Sequence, residues 1–279
     1  MRWSGGRGSG NIEDRRGMGP VGAVGGIGAG GVILALIGYF VFGIDPSTTT
    51  SVLGAGQKVE QQEGVRGGPA DEAGRFVDVV ATNVDDVWAR QMQGYRPPDA
   101  VVLYERATGT GCGMGQSAMG PFYCPADRKV YLDLSFWQEL ESQFGAGGEA
   151  ARAYVIAHEI GHHVQNLTGA SDQARRMGAR GAESGSVRLE LQADCYAGVW
   201  AAHAAAVSGG QVQLDPRDIE DGLRAAAAVG DDTLQRRSQG QVMPDAFTHG
   251  SAEQRMRWFR RGVEAGDPAA CDTFRARSL

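Results

Sequence analysis

The strongest restriction on the fold comes from one five-residue segment, His158-Glu159-Ile160-Gly161-His162. On an α-helix, side chains four positions apart project from the same face, with Cβ atoms about 5–6 Å apart. A helix here therefore lets His158 and His162 bind one metal ion through neutral imidazole nitrogens. Glu159 would lie beside that ion, where its carboxylate can take a proton from a metal-activated water. A helix over about 149–167 is predicted by apolar residues at helical spacing, namely Ala153, Ala157, Ile160, Val164 and Leu167.

A catalytic zinc site needs a third protein ligand and an open fourth position. Glu190 and Asp194 supply two carboxylates four residues apart on a second helix, predicted over about 186–207. We expect Glu190 to bind the metal and Asp194 to accept the spare N–H of a ligating histidine, which fixes the tautomer of that histidine. Glu183 is the reserve candidate for the third ligand. The alternative interpretation is an ordinary solvated acidic face, although apolar residues surround Asp194.

The remaining histidines divide into one functional candidate and two structural ones. His249 precedes the last predicted helix, where a loop histidine can donate a hydrogen bond to an oxyanion. An ordinary surface histidine is the alternative for that position. His163 does not share the four-residue spacing, and His203 lies among alanines, so structural roles are predicted for both.

A second informative feature is a charge-free segment of 24 residues, 21–44, which contains eight glycines. As a helix it would span roughly 36 Å at a rise of about 1.5 Å per residue, enough to cross a hydrocarbon core of about 30 Å. We predict a transmembrane helix; a cleaved signal peptide and a flexible glycine-rich segment are the alternatives. Gly22, Gly26 and Gly30 recur every four residues and form a face through which a homodimer is expected.

The charges around this segment predict an orientation. Arg2, Arg7, Arg15 and Arg16 precede it, and the next basic residue is Lys58. The positive-inside rule then places the N-terminus in the cytoplasm and the large C-terminal part outside. The predicted localisation is thus the inner (cytoplasmic) membrane, crossed once, with an extracytoplasmic domain.

The four cysteines permit three pairings. Cys112 and Cys124 flank a Gly/Pro-rich loop and are close enough in sequence to staple it, which leaves Cys195 and Cys271 as the second pair. Reduced, buried cysteines are the alternative. A zinc site made of all four is disfavoured, because no two of them are separated by only two residues.

The pattern of elements predicts the fold class and the domain boundaries. Strands are predicted over 100–105 and 129–134, among helices that begin near residues 71, 135, 149, 186, 216 and 251. The prediction is α+β: a mostly helical domain with a small sheet, preceded by one transmembrane helix. The predicted segments are a cytoplasmic N-terminus (1–20), the transmembrane helix (21–44), a flexible linker (45–70) and a metal-binding domain (71–279). A net charge of −6 without a basic stripe predicts no binding to nucleic acid.

Taken together, several segments resemble the bacterial family of neutral zinc metallopeptidases that are single-pass membrane proteins. The resemblance covers most of the chain. The segments are Met1-Arg2-Trp3 with Asn11-Ile12-Glu13-Asp14-Arg15-Arg16-Gly17, Gly120-Pro121-Phe122-Tyr123-Cys124-Pro125, 153–165 and 188–195.

This resemblance implies a zincin-like fold, one Zn²⁺ ion per chain and a peptide or protein substrate. It also implies Glu190 as the third ligand, Asp194 as the hydrogen-bond partner of a ligand, and His249 as a transition-state residue. The expected function is that of a membrane-anchored zinc-dependent endopeptidase with Glu159 as general base. A zinc-stabilised, membrane-anchored scaffold or binding protein without peptidase activity is the rival hypothesis.

Overall fold

A computed structural model describes residues 1–18, 63–145 and 147–279 of the chain. Within these residues there are seven β-strands and eight α-helices. The strands are β1 (Ile12–Asp14), β2 (Val65–Arg66), β3 (Ala100–Tyr104), β4 (Ala107–Thr110), β5 (Gly113–Gln116), β6 (Phe122–Cys124) and β7 (Lys129–Asp133). The helices are α1 (Glu72–Gln91), α2 (Phe136–Phe144), α3 (Glu149–Thr168), α4 (Ala170–Arg176), α5 (Gly185–Val207), α6 (Pro216–Ala228), α7 (Asp231–Gln239) and α8 (Ala252–Ala265).

Five of the strands form one mixed sheet in the order β2-β1-β3-β7-β6. The central strand β3 pairs in parallel with β1 and β7, so that Val102 lies opposite Glu13 on one side and Tyr131 on the other. The edge strands β2 and β6 are antiparallel to their neighbours. β3 is buried along its whole length, as is usual for a parallel strand covered on both faces. The predicted strands at 100–105 and 129–134 are confirmed as β3 and β7; the hairpin β4–β5 and strand β6 between them are not predicted by the sequence.

Local signals determine most helix ends. The Asp71 side chain accepts a hydrogen bond at the start of α1, and Ser251 and Gln254 form a capping box at the start of α8. Gly169 ends α3 in the left-handed conformation, with φ of 78°. These ends agree with the predicted ones. Ser135 is an exception, because its side chain makes no capping hydrogen bond at the start of α2.

Two close helix crossings bring the polar side chains of the domain together. Helices α3 and α5 approach at Gly161, where a Cβ atom would lie 3.3 Å from the Ala193 backbone. Helices α5 and α8 cross at Gly198 and Gly262, where a Cβ on Gly262 would lie only 2.0 Å from the Cys195 carbonyl oxygen. Gly198 thus faces α8. Side chains of all three helices enter one hydrophobic cluster, together with residues from α1, β3 and β7.

The N-terminal residues belong to the same sheet as the rest of the domain. Glu13 on β1 is 1% exposed and accepts hydrogen bonds from Lys129 Nζ at 2.8 Å and from Arg15 Nε at 2.7 Å. Since Lys129 lies on β7, this network ties β1 to a strand more than a hundred residues later in the chain. Residues 12–14, assigned by the sequence to a separate N-terminal segment, thus lie on the same side of any membrane as the helical domain.

The predicted membrane anchor needs correction. Among the described residues there is no helix that is both long enough and apolar enough to cross a bilayer. The predicted transmembrane helix at 21–44 and its glycine face lie outside the described residues. The fold-class prediction is corrected on the first of these findings: the described fold is α+β, with eight helices and small sheets and no membrane-spanning helix among the described residues. The single-pass inner-membrane localisation is wrong with it, since a cytoplasmic N-terminus and an extracytoplasmic domain cannot share one hydrogen-bonded sheet.

Candidate metal centre

Helices α3 and α5 bring three predicted ligands into one cluster, His158, His162 and Glu190. The two imidazole Nε2 atoms are 3.1 Å apart. Oε2 of Glu190 lies 3.2 Å from Nε2 of His158, and Oε1 lies 3.5 Å from Nε2 of His162. The side chains of His162 and Glu190 are each 16% exposed and that of His158 is 8% exposed, so the cluster is reached from the side of His162 and Glu190.

These distances fit a zinc ion. With metal–ligand bonds of about 2.0–2.2 Å, neighbouring ligand atoms of a tetrahedral site are about 3.3–3.6 Å apart. The chemistry of the donors also fits, because Nδ1 of each histidine faces an acceptor oxygen, Asp194 Oδ1 for His158 and Gln165 Oε1 for His162. With the ring protons on Nδ1, both Nε2 lone pairs point at each other and at the Glu190 carboxylate. Such a cluster of lone pairs is repulsive unless a positive charge lies between them.

His158 is held by a buried network of charges. Its Nδ1 lies 2.9 Å from Asp194 Oδ1, although its N–H does not point straight at that oxygen. Asp194 is 0% exposed; it accepts two hydrogen bonds of 2.9 Å from Arg255 and one of 2.5 Å from the Tyr154 hydroxyl. Burial opposes the charge on Asp194, but Arg255 and His158 nevertheless lower the pKa of this carboxyl. The ionised form of Asp194 is thereby favoured, and its carboxylate lies against the imidazole of His158, where the sequence-based prediction requires it to be.

The same carboxylates increase the affinity of the site for positive charge. Burial lowers the pKa of His158, but hydrogen bonds and charge from Asp194, together with a hydrogen bond to Glu190, raise it to about 10. The carboxylates thus favour a positive charge beside the His158 ring. Because a histidine must be deprotonated to ligate a metal, metal uptake at this site competes with protonation of His158.

Glu159 is buried beside the cluster without belonging to it. The residue is 7% exposed and lies one position along α3 from His158. Burial raises the pKa of Glu159 above its usual range, and the nearby Glu190 adds to this effect, whereas His162 and His158 oppose it. A carboxylate with a raised pKa is a stronger proton acceptor, which is the property that a general base requires.

His249 lies in the loop before α8, as predicted, and this loop is built around Asp231. Oδ2 of Asp231 accepts the backbone N–H groups of Thr248, His249 and Gly250 at 2.8, 2.6 and 2.9 Å. Nδ1 of His249 lies 2.8 Å from the Thr248 hydroxyl and 3.5 Å from Asp231 Oδ1. Burial lowers the pKa of His249, but the negative charge of Glu190 and the hydrogen bond and charge of Asp231 raise it above its usual range.

The other candidates lie outside the cluster. The Glu183 side chain is 72% exposed and only approaches Arg188, so the reserve ligand is not brought to the site. His163 lies between the Tyr123 hydroxyl and the Arg96 carbonyl, at 3.0 and 2.7 Å. His203 contacts the Gly266 carbonyl at 2.7 Å. His163 and His203 thus make the structural contacts that the sequence predicts.

Three polar residues of the site are not found by reasoning from the sequence: Gln165, Asp231 and Arg255. Gln165 has a local signal, because it lies three positions after His162 on the same helix. Asp231 and Arg255 have no comparable signal, since their partners are 18 and 61 positions away.

Both predicted disulfides are present, Cys112–Cys124 and Cys195–Cys271. The first joins the turn between β4 and β5 to the end of β6. The second joins α5, directly after Asp194, to the segment that follows α8. The C-terminal segment is thereby linked to the helix that carries Glu190.

Comparison with known proteins agrees with this geometry. The family model described as "Putative neutral zinc metallopeptidase" matches residues 1–274. The chain belongs to this family. It is 45% identical over 294 residues to "Uncharacterized protein YpfJ" of Escherichia coli (strain K12), an alignment that covers 98% of this chain and 99% of that protein. It is 51% identical over 219 residues to "Uncharacterized protein Rv2575" of Mycobacterium tuberculosis (strain ATCC 25618 / H37Rv), covering 75% of this chain and 74% of that protein. No solved structure matches the chain.

Membership of a zinc metallopeptidase family and the His158–His162–Glu190 cluster point to the same metal. Two imidazoles and one carboxylate form a donor set typical of catalytic zinc. The family match also includes the N-terminal residues of β1, so the sheet that contains them is part of the family domain.

Proposed function

We propose that this chain is a zinc-dependent endopeptidase in which Glu159 is the general base. One observation carries the proposal: His158, His162 and Glu190 converge on one point, and the buried Glu159 carboxyl interacts electrostatically with all three of these side chains. Three protein ligands leave a fourth position for a reacting group, which distinguishes a catalytic zinc site from a structural one.

The residues divide the chemistry among them. Zinc, when bound, polarises the scissile carbonyl and lowers the pKa of water. Glu159 accepts the proton of the attacking water and later donates it to the leaving amine. His249, held by Thr248 and Asp231, is the candidate donor to the developing oxyanion. Asp194 keeps the imidazole of His158 oriented toward the metal.

The test is Glu159→Gln, which keeps the shape of the side chain but cannot accept a proton near neutral pH. Cleavage of an unfolded protein substrate should fall by roughly 10²–10⁴-fold, the usual contribution of a general base. Zinc content and thermal stability should stay close to those of the wild type, because no ligand is lost. Glu183→Gln is the matched control, since Glu183 is an exposed carboxylate near the start of α5, and it should change neither quantity.

The same experiment separates the enzyme from the rival scaffold. If the wild type holds zinc but cleaves no member of a broad peptide library, the zinc is structural and the peptidase hypothesis fails. If Glu159→Gln cleaves as fast as the wild type, the assignment of the general base is wrong even though the metal site stands.

A further inference from the structure

A chain of two buried amides leads from the metal site to the C-terminal segment. Gln165 Oε1 lies 2.8 Å from Nδ1 of His162, on the side of the ring away from the other ligands. Gln165 Nε2 donates to the Leu189 carbonyl at 2.7 Å and to Gln192 Oε1 at 3.1 Å. Gln192 Nε2 in turn donates to the Cys271 carbonyl at 3.0 Å. Gln165 is 0% exposed and Gln192 is 7% exposed, so water does not replace these contacts.

The direction of each hydrogen bond in this series of amides follows from the backbone carbonyls that it contacts. The backbone carbonyls of Leu189 and Cys271 can only accept, so the amide group facing each of them must be NH₂. Gln192 therefore turns its oxygen toward Gln165, and Gln165 turns its own oxygen toward His162. An acceptor oxygen at Nδ1 requires that nitrogen to carry the ring proton. The reversed orientation of either amide would place NH₂ against NH₂ or carbonyl against carbonyl.

We propose that Gln165, oriented by Leu189 and Gln192, is a positioning residue that holds His162 in its Nδ1-protonated form and so presents Nε2 to the metal. A neutral histidine free in water favours the other tautomer, with the proton on Nε2, which cannot ligate through that atom. His158 obtains the same orientation from a carboxylate, Asp194, whereas His162 obtains it from a neutral amide. The role of Gln165 in metal binding rests on the proposed function, whereas its hydrogen bonds are present in the folded chain without a metal.

The test compares Gln165→Met with the wild type and with Gln173→Met, a control at an exposed glutamine on α4. The first measurement is the tautomer of His162 in the metal-free protein, read from the ring ¹⁵N shifts under conditions where this imidazole is neutral. The wild type and Gln173→Met should show the proton on Nδ1, and Gln165→Met should move it wholly or partly to Nε2.

The second measurement is zinc affinity by competition with a chelator. Gln165→Met should bind zinc on the order of 10–100-fold more weakly, the usual effect of removing a hydrogen-bond partner from a ligating histidine. Gln192→Met should have a smaller effect, because the Leu189 carbonyl still orients Gln165. Gln165→Glu restores an acceptor oxygen and should bind zinc more tightly than Gln165→Met does, which separates positioning from a general loss of packing.

An unchanged tautomer in Gln165→Met, or zinc affinity within about twofold of the wild type, overturns the proposal. Equal zinc affinity of the Met and Glu variants, both weaker than the wild type, also overturns it, since the acceptor oxygen would then be irrelevant. A wild type that binds zinc but cleaves no peptide defeats the proposed function and leaves these two measurements valid.

Discussion

Replacement of Arg255 by Met should be the most destabilising single change at the site. The Arg255 side chain is almost fully buried and donates two hydrogen bonds of 2.9 Å to Asp194, which is itself inaccessible to solvent. Met fills a similar volume but leaves the Asp194 carboxylate buried without its cation. Removing one partner of a buried ion pair typically costs about 3–5 kcal/mol of folding free energy. That loss is a large fraction of the roughly 5–15 kcal/mol by which domains are usually stable.

The assay is urea unfolding of the metal-free protein near neutral pH, with both disulfides intact. Arg255→Met should lower the midpoint without changing the slope, because the exposed surface on unfolding stays the same. Arg255→Lys keeps the charge but cannot make two parallel hydrogen bonds, so its loss should be intermediate.

A double-mutant cycle with Asp194→Asn gives the decisive result. Each single variant leaves one buried charge without its partner, whereas the double variant Arg255→Met/Asp194→Asn leaves neither charge. The double variant should therefore lose about 1–3 kcal/mol less folding free energy than the two single variants lose in sum. Strictly additive losses, or a cost below about 1 kcal/mol for Arg255→Met alone, would refute the reasoning.

Three further predictions concern the sheet, a helix crossing and the metal. Burial opposes the charge on Glu13, but hydrogen bonds from Lys129, Gly64 and Arg15 lower its pKa from 4.5 to about 2. At pH values above the pKa of Glu13 in the unfolded chain, its charge therefore stabilises the fold by about 3 kcal/mol. This contribution is lost as the pH falls toward the pKa of Glu13 in the folded protein. Urea midpoints of Glu13→Gln and wild type should differ at neutral pH and converge near pH 2; a constant gap would contradict this. Gly262→Ala should destabilise the protein by about 1–3 kcal/mol in thermal or urea unfolding, because its Cβ would meet the α5 backbone. Helix propensity alone predicts a gain of about 1 kcal/mol, so the sign of the change decides between the two effects. Glu190→Gln should lose zinc during dialysis against a chelator, because a charged ligand becomes a poor neutral one; full zinc retention would exclude Glu190 as a ligand.

The residues of the metal cluster could be predicted from the sequence because their signal is local. His158 and His162, like Glu190 and Asp194, are four positions apart, and a helix brings such pairs onto one face whatever the rest of the fold does. Helix ends such as Asp71 and Gly169 are equally local, since a cap depends on residues within one turn. The short helices α4 and α7 were not predicted, because neither carries an apolar stripe long enough to show helical periodicity.

The prediction of membrane topology failed for a related reason. Hydropathy of 21–44 and the flanking charges describe only one segment and its immediate surroundings. Whether residues 12–14 pair with β3 depends on strands near residue 100, and no local spacing carries that information. Arg15 was interpreted as part of the basic flank, whereas in the structure it is buried and pairs with Glu13 on β1.

By itself the sequence determined the composition of the site: two histidines, a neighbouring glutamate and a pair of carboxylates on two helices. The tertiary structure decided which faces of those helices meet and which groups hold the ligands in place. The glycine crossings let α3, α5 and α8 approach closely enough for Arg255 to reach Asp194 and for Gln192 to reach Cys271. Those partners are 61 and 79 positions apart. Contacts at such separation depend on the packing of whole elements, so they become visible only when the chain is folded.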